Sequence, residues 1–452
     1  MRLFISPAVS LLLLCCVASH SSDARDGLLA SEGMRPLASM LDSDGTLNPA
    51  PGFSGSLDPR GWKILADQYG RPKFVRDDRL LQHDITSDPD DIYWDSRFSL
   101  FGVASSISGM PAVYAVAVSG SDVYIGGFFD AAGSVPAKNI VRWNSSTNAW
   151  TPLAEGIGGG PNATVQCIAV SGTDIYVGGN FTTAGTIGVS GIAKWNGTSW
   201  SDVGAGVGGV PIPVVYALAF SGTNLYAGGY FRTAGGVNAN FIARWDGSSW
   251  SSVGVGVNST VFALAGDGTN LYVGGTFDTA GTVAASKIAK WDGINWSALG
   301  SGMGGVINPF VYTIAISGAT VYAGGYFTSA GGVTANLIAR WNGAAWSAMG
   351  TGMNVASNNY IASIVVSGTT VYASGNFTNA GGVTANRVAR WNGTTWSAMS
   401  TGMTSDVYSL AVSGTTVYAG GFFNTASGIF VDYCAAWNGS VWSALVPGGG
   451  AN

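Results

Sequence analysis

Histidine is almost missing from this chain. The 452 residues contain two, His20 and His83, and neither falls in the repetitive region that makes up most of the sequence. That excludes a histidine-based metal centre there, and no metal site or cofactor is implied elsewhere. Charge is scarce too: Asp, Glu, Lys and Arg make up 10% of the residues, against roughly 25% in an average soluble protein. The formal net charge is −5. Residues 1–111 hold fourteen acidic and ten basic side chains, and the remainder holds eleven and ten. A near-neutral repeat region has no electrostatic footprint for nucleic acid or an anionic membrane. Of four cysteines, Cys15 and Cys16 lie in an N-terminal leader. Cys167 and Cys434 fall in the second and seventh repeats, which are not adjacent in a ring of seven, so they read as two separate thiols acting as small hydrophobes. No apolar run reaches the roughly 18 residues of a membrane span. Nucleophile motifs, phosphate-binding loops and Cys/His pairs are missing as well.

Repetition dominates instead. The stretch from Val371 to Met399 is one copy of a unit that occurs seven times. Its Phe recurs at Phe129, Phe181, Phe231, Phe277, Phe327, Phe377 and Phe423, a spacing of 46 to 52 residues. A Trp follows fourteen residues after each Phe, from Trp143 to Trp437, and a second Trp ends each unit, from Trp150 to Trp442. Such a period is the signature of a repeat architecture.

Each unit breaks into four strand-like runs. In the sixth, strand A covers 361–366, strand B 370–377, strand C 386–391 and strand D 395–399, with a long loop over 378–385. Asn392-Gly393 between C and D predicts a two-residue type I′ turn, because Asn-Gly tolerates positive φ at both positions. Four short antiparallel strands cannot bury both faces alone, but seven sheets packed around an axis can. The expected fold is therefore all-β: a seven-bladed β-propeller of four-stranded antiparallel blades. The paired Trp residues read as blade-to-blade core. The Gly pair before each Phe reads as close strand approach or a bulge. The cation before six of the seven first Trp residues (Arg142, Lys194, Arg244, Lys290, Arg340, Arg390; the seventh repeat has Ala436) reads as stacking and carbonyl contacts.

The run from Val123 to Gly156, with a Gly pair ending strand B, an aromatic on strand C and a Trp on strand D, resembles a kelch repeat. The chain is similar to kelch-type, galactose-oxidase-like propellers, and closer still to repetitive secreted bacterial proteins built from a GGxF…ARWNGxxW unit. The likeness covers about residues 112–446. Trp stands where kelch repeats carry Tyr on strand C, and no copper-oxidase residue can be carried over.

Ahead of the repeats, residues 1–19 read as a secretory signal peptide, with Arg2 before a short apolar run; this implies a secreted, extracellular, periplasmic or cell-surface location. Residues 20–91 form a polar, mostly irregular extension in which Phe53 to Val75 suggests a small hairpin. Asp91 to Val103 echoes the end of a repeat, with Trp94 in the place of the second Trp, and is expected to pack as an extra strand or cap where the ring closes. The propeller spans 92–446 and a tail 447–452.

Antiparallel strands put the A–B and C–D turns on one face of the disc and the B–C and D–A loops on the other. Loop length varies most in D–A, so any ligand site belongs on the B–C/D–A face. Carboxylates there are few: Asp130, Glu155, Asp406 and Asp432, all on blades flanking the closure. The expected function is a non-enzymatic binding or surface-interaction module, acting as a monomer, with a glycan or an extracellular protein as partner. The alternatives are a carbohydrate hydrolase or lyase built on those four candidate catalytic acids, and a purely structural surface protein.

Overall fold

A computed structural model describes residues 3–5, 34–36, 41–42, 55–58, 62–66, 72–76, 102–105, 110–133, 135–356 and 359–446. The chain divides into two compact units, Met1–Trp94 and Asp95–Asn452. In the first, Leu3–Ile5 pairs antiparallel with Gly55–Leu57, and Met34–Pro36 lies parallel to Ser56–Asp58. The hairpin anticipated within 53–75 is present: Trp62–Ala66 pairs with Pro72–Arg76. The rest of the leader lies outside the described residues.

The second unit is all-β. Seven four-stranded antiparallel sheets follow one another, each ordered A-B-C-D from first strand to last. In blade 1 the strands are Ala112–Ser119, Asp122–Phe128, Ile140–Asn144 and Ala149–Pro152. In blade 6 they are Ile361–Ser367, Thr370–Gly375, Val388–Trp391 and Trp396–Ala398, within two residues of the expected limits at every end. Blade 7 comprises Val407–Ser413, Thr416–Gly421, Cys434–Trp437 and Trp442–Ala444. Strand A of each blade packs on strand A of the next, and blade 7 returns to blade 1. The ring is closed, and the fold is a β-propeller.

Two hydrogen-bond systems tie blades together. The second Trp of a blade donates its indole N–H to a carbonyl of the blade before: Trp200 to Leu153 (3.0 Å), Trp250 to Val203 (2.8 Å), Trp346 to Leu299 (2.7 Å) and Trp396 to Met349 (2.8 Å). Nearer the axis, strand A has one unpaired edge. Hydroxyls of a neighbouring blade cap it in three places: Thr313 accepts from Ile364 N–H, Ser363 from Leu410 N–H and Ser409 from Val116 N–H. Exposed edge donors are thereby satisfied across the boundary.

The Gly pair is explained by packing. A Cβ on Gly126 would lie 2.5 Å from Val165 Cγ1 of the next blade, and one on Gly127 would run into the carbonyl of Ala112. The first Gly admits the neighbouring blade and the second admits the bulge opposite it in strand A. Blade 6 carries Ser374 at the first position, fully buried.

Three expectations change. The C–D turn is not type I′. Gly197 alone has positive φ (98°), and Asn196 acts through its side chain, accepting from the N–H groups of Thr198 and Ser199 in a four-residue loop. The Asn oxygen replaces a backbone acceptor, which makes positive φ at Asn unnecessary. Turns with positive φ at both central residues occur in the B–C loop instead, at Gly381-Gly382 (60° and 88°), where Ala380 pairs with Val383. That loop is a small hairpin in every blade, and the linker leading into the blade pairs with it, as Ile157–Gly158 does with Thr183–Ala184. The strand C cations find hydroxyls more than carbonyls: Arg244, Arg340 and Arg390 reach Ser251, Ser347 and Ser397, their cross-strand neighbours, at 3.1–3.2 Å. Lys194 pairs with Asp174 at 2.7 Å and lies over the Tyr176 ring.

At the closure, Val103–Ala104 pairs with Ala131–Ala132 of blade 1, and Val103 N–H donates to Asp432 of blade 7. Val103 and Ala104 occupy the place that Ile157 and Gly158 hold in blade 2, at the seam; residues 91–101 of the expected cap, Trp94 among them, lie outside the described residues. Cys167 and Cys434 are free thiols, both pushed up in pKa chiefly by burial.

Candidate functional site

Strand A enters each blade from the B–C/D–A face, and close to that entry every one of the seven strands is bulged. A bulge sets two residues against one and re-aims the extra side chain. The extra residues are Tyr114, Gln166, Tyr216, Phe262, Tyr312, Ala362 and Tyr408. Their rings meet across blade boundaries. Tyr114 stacks on Tyr408 at 5.4 Å, Tyr216 meets Phe262 edge-on at 5.2 Å, and Phe262 meets Tyr312 at 4.8 Å. Blade 6 has only Ala362 there, but Tyr360, two residues earlier, reaches Tyr312 at 5.4 Å. Contacts between successive innermost strands can form such a chain only around the axis. The result is an aromatic collar at the axial mouth on the B–C/D–A face, interrupted in blade 2 by Gln166.

The collar residues are half-buried, so the collar still presents surface to solvent. Desolvation raises the pKa of Tyr114, Tyr216 and Tyr312. Burial and then the nearby Asp406 carboxylate push Tyr408 up to about 12 and raise Tyr360 further. All five are neutral phenols at neutral pH, each offering one donor and one acceptor.

The four candidate acids separate. Asp406 lies beside the collar: Tyr360 Oη donates to it at 3.4 Å, and Arg387 Nε stands 3.6 Å from its other oxygen. Asp130 and Asp432 meet the same seam segment through their backbones, Asp130 N–H donating to Ala104 and the Asp432 carbonyl accepting from Val103. Glu155 is exposed over Gly185 of blade 2. Asp406 therefore joins an interacting polar group at the axial mouth, an ion pair with a phenol.

Outward from Asp406 lies a polar cavity of about 320 Å³ at the boundary of blades 6 and 7, lined by Thr378, Asn386, Arg387, Thr401, Thr404 and Ser427 among others. Arg387 Nη1 also donates to the carbonyl of Phe377. Sequence reasoning named the B–C/D–A face and Asp406 but missed the collar, Tyr360 and Arg387. A signal existed. An aromatic stands five residues before the A–B turn in five of seven repeats (Tyr114, Tyr216, Phe262, Tyr312, Tyr408). The bulge removes it from the strand's period of two, so alternation assigns it to the wrong face.

No protein-family model matches the chain, and no curated protein does. Solved structures of similar shape include the computationally designed Ika8 protein, at 15% identity, covering 75% of this chain and 87% of that one, with a TM-score of 0.42. The WD40 β-propeller domain of Doa1 is 12% identical, with 76% and 97% covered and a TM-score of 0.45. The extracellular domain of a one-component system from B. thetaiotaomicron, BT4673, is 12% identical with a TM-score of 0.46; the match covers 71% of this chain but only 38% of that domain. These resemblances leave function open, and the propeller stands on the chain's own seven sheets and their closed ring.

Proposed function

We propose that this chain is a secreted, kelch-like binding module that engages a glycan or an extracellular protein at the axial mouth of its B–C/D–A face, without chemical conversion. The observation that carries the reading is the collar: six aromatic rings from six blades converge on one half-buried patch. Aromatic faces stack on the apolar faces of sugars and of protein side chains, and phenol hydroxyls and the Asp406–Arg387 pair supply directional contacts beside them. The neutral repeat surface fits an uncharged ligand. A hydrolytic role needs two carboxyls at a set separation, whereas Asp406 is held by Arg387 and Tyr360.

The test is a binding screen of the secreted chain against polysaccharides, glycans and extracellular proteins, with products analysed in the same wells. Binding without product, weakened about tenfold or more by Tyr312→Ala or Tyr408→Ala, is the expected result; tenfold corresponds to about 1.4 kcal/mol. Product formation, or binding indifferent to both substitutions, would overturn the reading.

A further inference from the structure

The cavity between blades 6 and 7 lies beside residues found at their positions in no other blade. Ser427 is the clearest. Four residues after the unit's Phe, the other six blades carry Gly133, Gly185, Gly235, Gly281, Gly331 and Gly381. All six have positive φ, and a Cβ on each would crowd the second Trp of its own blade, as Gly381 would crowd Trp396. Ser427 keeps the same left-handed backbone, with φ at 48°, at a position where any side chain is strained. Ser427 lines the cavity, and its hydroxyl is buried without a hydrogen-bond partner.

Arg387 is the second. It has positive φ (68°), as its counterparts do in the other six blades, and its Nε is buried with no hydrogen bond, Asp406 being 3.6 Å away. Its counterparts settle locally: Asn139 bonds to Phe129 and Ile157, Lys287 to Asp278, and Leu337 is fully buried. Asp406 is the third. Ala112, Thr164, Val214, Thr260, Phe310 and Tyr360 hold its place in the other blades. Ser427, alone against six glycines, and Arg387 therefore meet at one cavity, with Asp406 beside Arg387. Ser427 and Arg387 both have positive φ, and each keeps a buried polar atom without a hydrogen bond beside the cavity. Local conflicts retained against the rest of a consistent fold are the mark of a site.

Resting on the binding-module reading above, we infer that this cavity is a subsite for a neutral, hydroxyl-rich ring, one hexose unit of a glycan. The volume suits one ring. Arg387 and Asp406 neutralise each other and offer a donor and an acceptor side by side, a match for adjacent hydroxyls rather than for an anion. Ser427 supplies a further donor, and the Thr378 and Thr401 side chains line the wall. Tyr360 bonds to Asp406 from the collar side, so a longer glycan would run from the axial rings into this subsite.

The experiment titrates the full chain with methyl glycosides of glucose, galactose and mannose and with glucuronate, using calorimetry or protein-observed NMR. Ser427→Gly, which restores the residue of the other six blades, and Arg387→Leu, which copies blade 5, are compared with the parent. Neutral glycoside binding that falls about tenfold or more in both variants is expected; the loss of one charged or two neutral hydrogen bonds gives that scale. Ser427→Gly should melt no lower than the parent, which separates lost contacts from lost folding. Binding of glucuronate alone, or neutral binding untouched by both variants, would overturn the subsite. Polymer binding lost in Tyr312→Ala but kept in Ser427→Gly and Arg387→Leu would sink the subsite and leave the axial reading standing. If no glycoside binds the parent, the subsite falls as well.

Discussion

The indole N–H of Trp442 donates to the carbonyl of Met399 across the boundary between blades 6 and 7, at 3.0 Å. Six such latches run around the ring. The seventh is missing: Trp150, at the closure, is buried with its nitrogen unpartnered. Replacing Trp442 by Phe leaves the Met399 carbonyl unsatisfied as well as shrinking the ring, while Trp150→Phe only shrinks the ring. Trp442→Phe should therefore cost about 1–2 kcal/mol more than Trp150→Phe. Denaturant unfolding of both variants checks this, and equal losses would mean that the latches add nothing.

Gly127 and Gly126 should respond differently to alanine. At Gly127 the obstacle is the backbone carbonyl of Ala112, which cannot move without undoing the bulge. Gly127→Ala should cost about 3 kcal/mol or more. At Gly126 the obstacle is the Val165 side chain in the next blade, which can shift, so about 1–3 kcal/mol is expected. Thermal melts rank the two directly, and a larger loss for Gly126→Ala would refute the assignment of the bulge to the second Gly.

Val103 is fully buried and forms the N-terminal half of the seam. Val103→Ala should cost about 1–3 kcal/mol, as other large-to-small core changes do. A change of surface size, within about half a kcal/mol, would show that blade 7 and blade 1 close without it.

Much of this was legible beforehand because each repeat states its own fold. The Phe and the two Trp mark strand ends and blade contacts, and the Gly pair announces close approach in six of the seven blades. What the sequence hid follows from geometry that patterns do not carry. Asn196 and its counterparts look like type I′ turns, yet the Asn side chain takes over the acceptor role. Tyr114, Tyr216, Phe262, Tyr312 and Tyr408 recur in register, but a bulge swings them from the blade interior to the axis. Asp406 was visible as a scarce acid. Its partner Arg387 sits 19 positions earlier on another blade, and only the ring brings them to 3.6 Å.

The collar also predicts an alkaline limit. Tyr408, with a pKa near 12 in the fold, titrates at about 10 once unfolded. A raised folded value means that the fold holds the proton more tightly. The stabilisation is complete below pH 10 and is lost as pH climbs toward 12. Tyr360, raised further, continues the trend. Melting temperature should drop between pH 10 and 12, and Tyr408→Phe should flatten part of that slope. Ultraviolet titration in which every tyrosine ionises near pH 10 in the folded protein would contradict it.

The most direct test of the account is binding at the axial mouth, measured on the full chain against uncharged glycans and extracellular proteins with Tyr312→Ala and Tyr408→Ala alongside. The account predicts a ligand held without being cleaved, and binding reduced about tenfold or more in both variants while each still melts cooperatively. Cleavage of the ligand, or affinity unchanged in both variants, would contradict it.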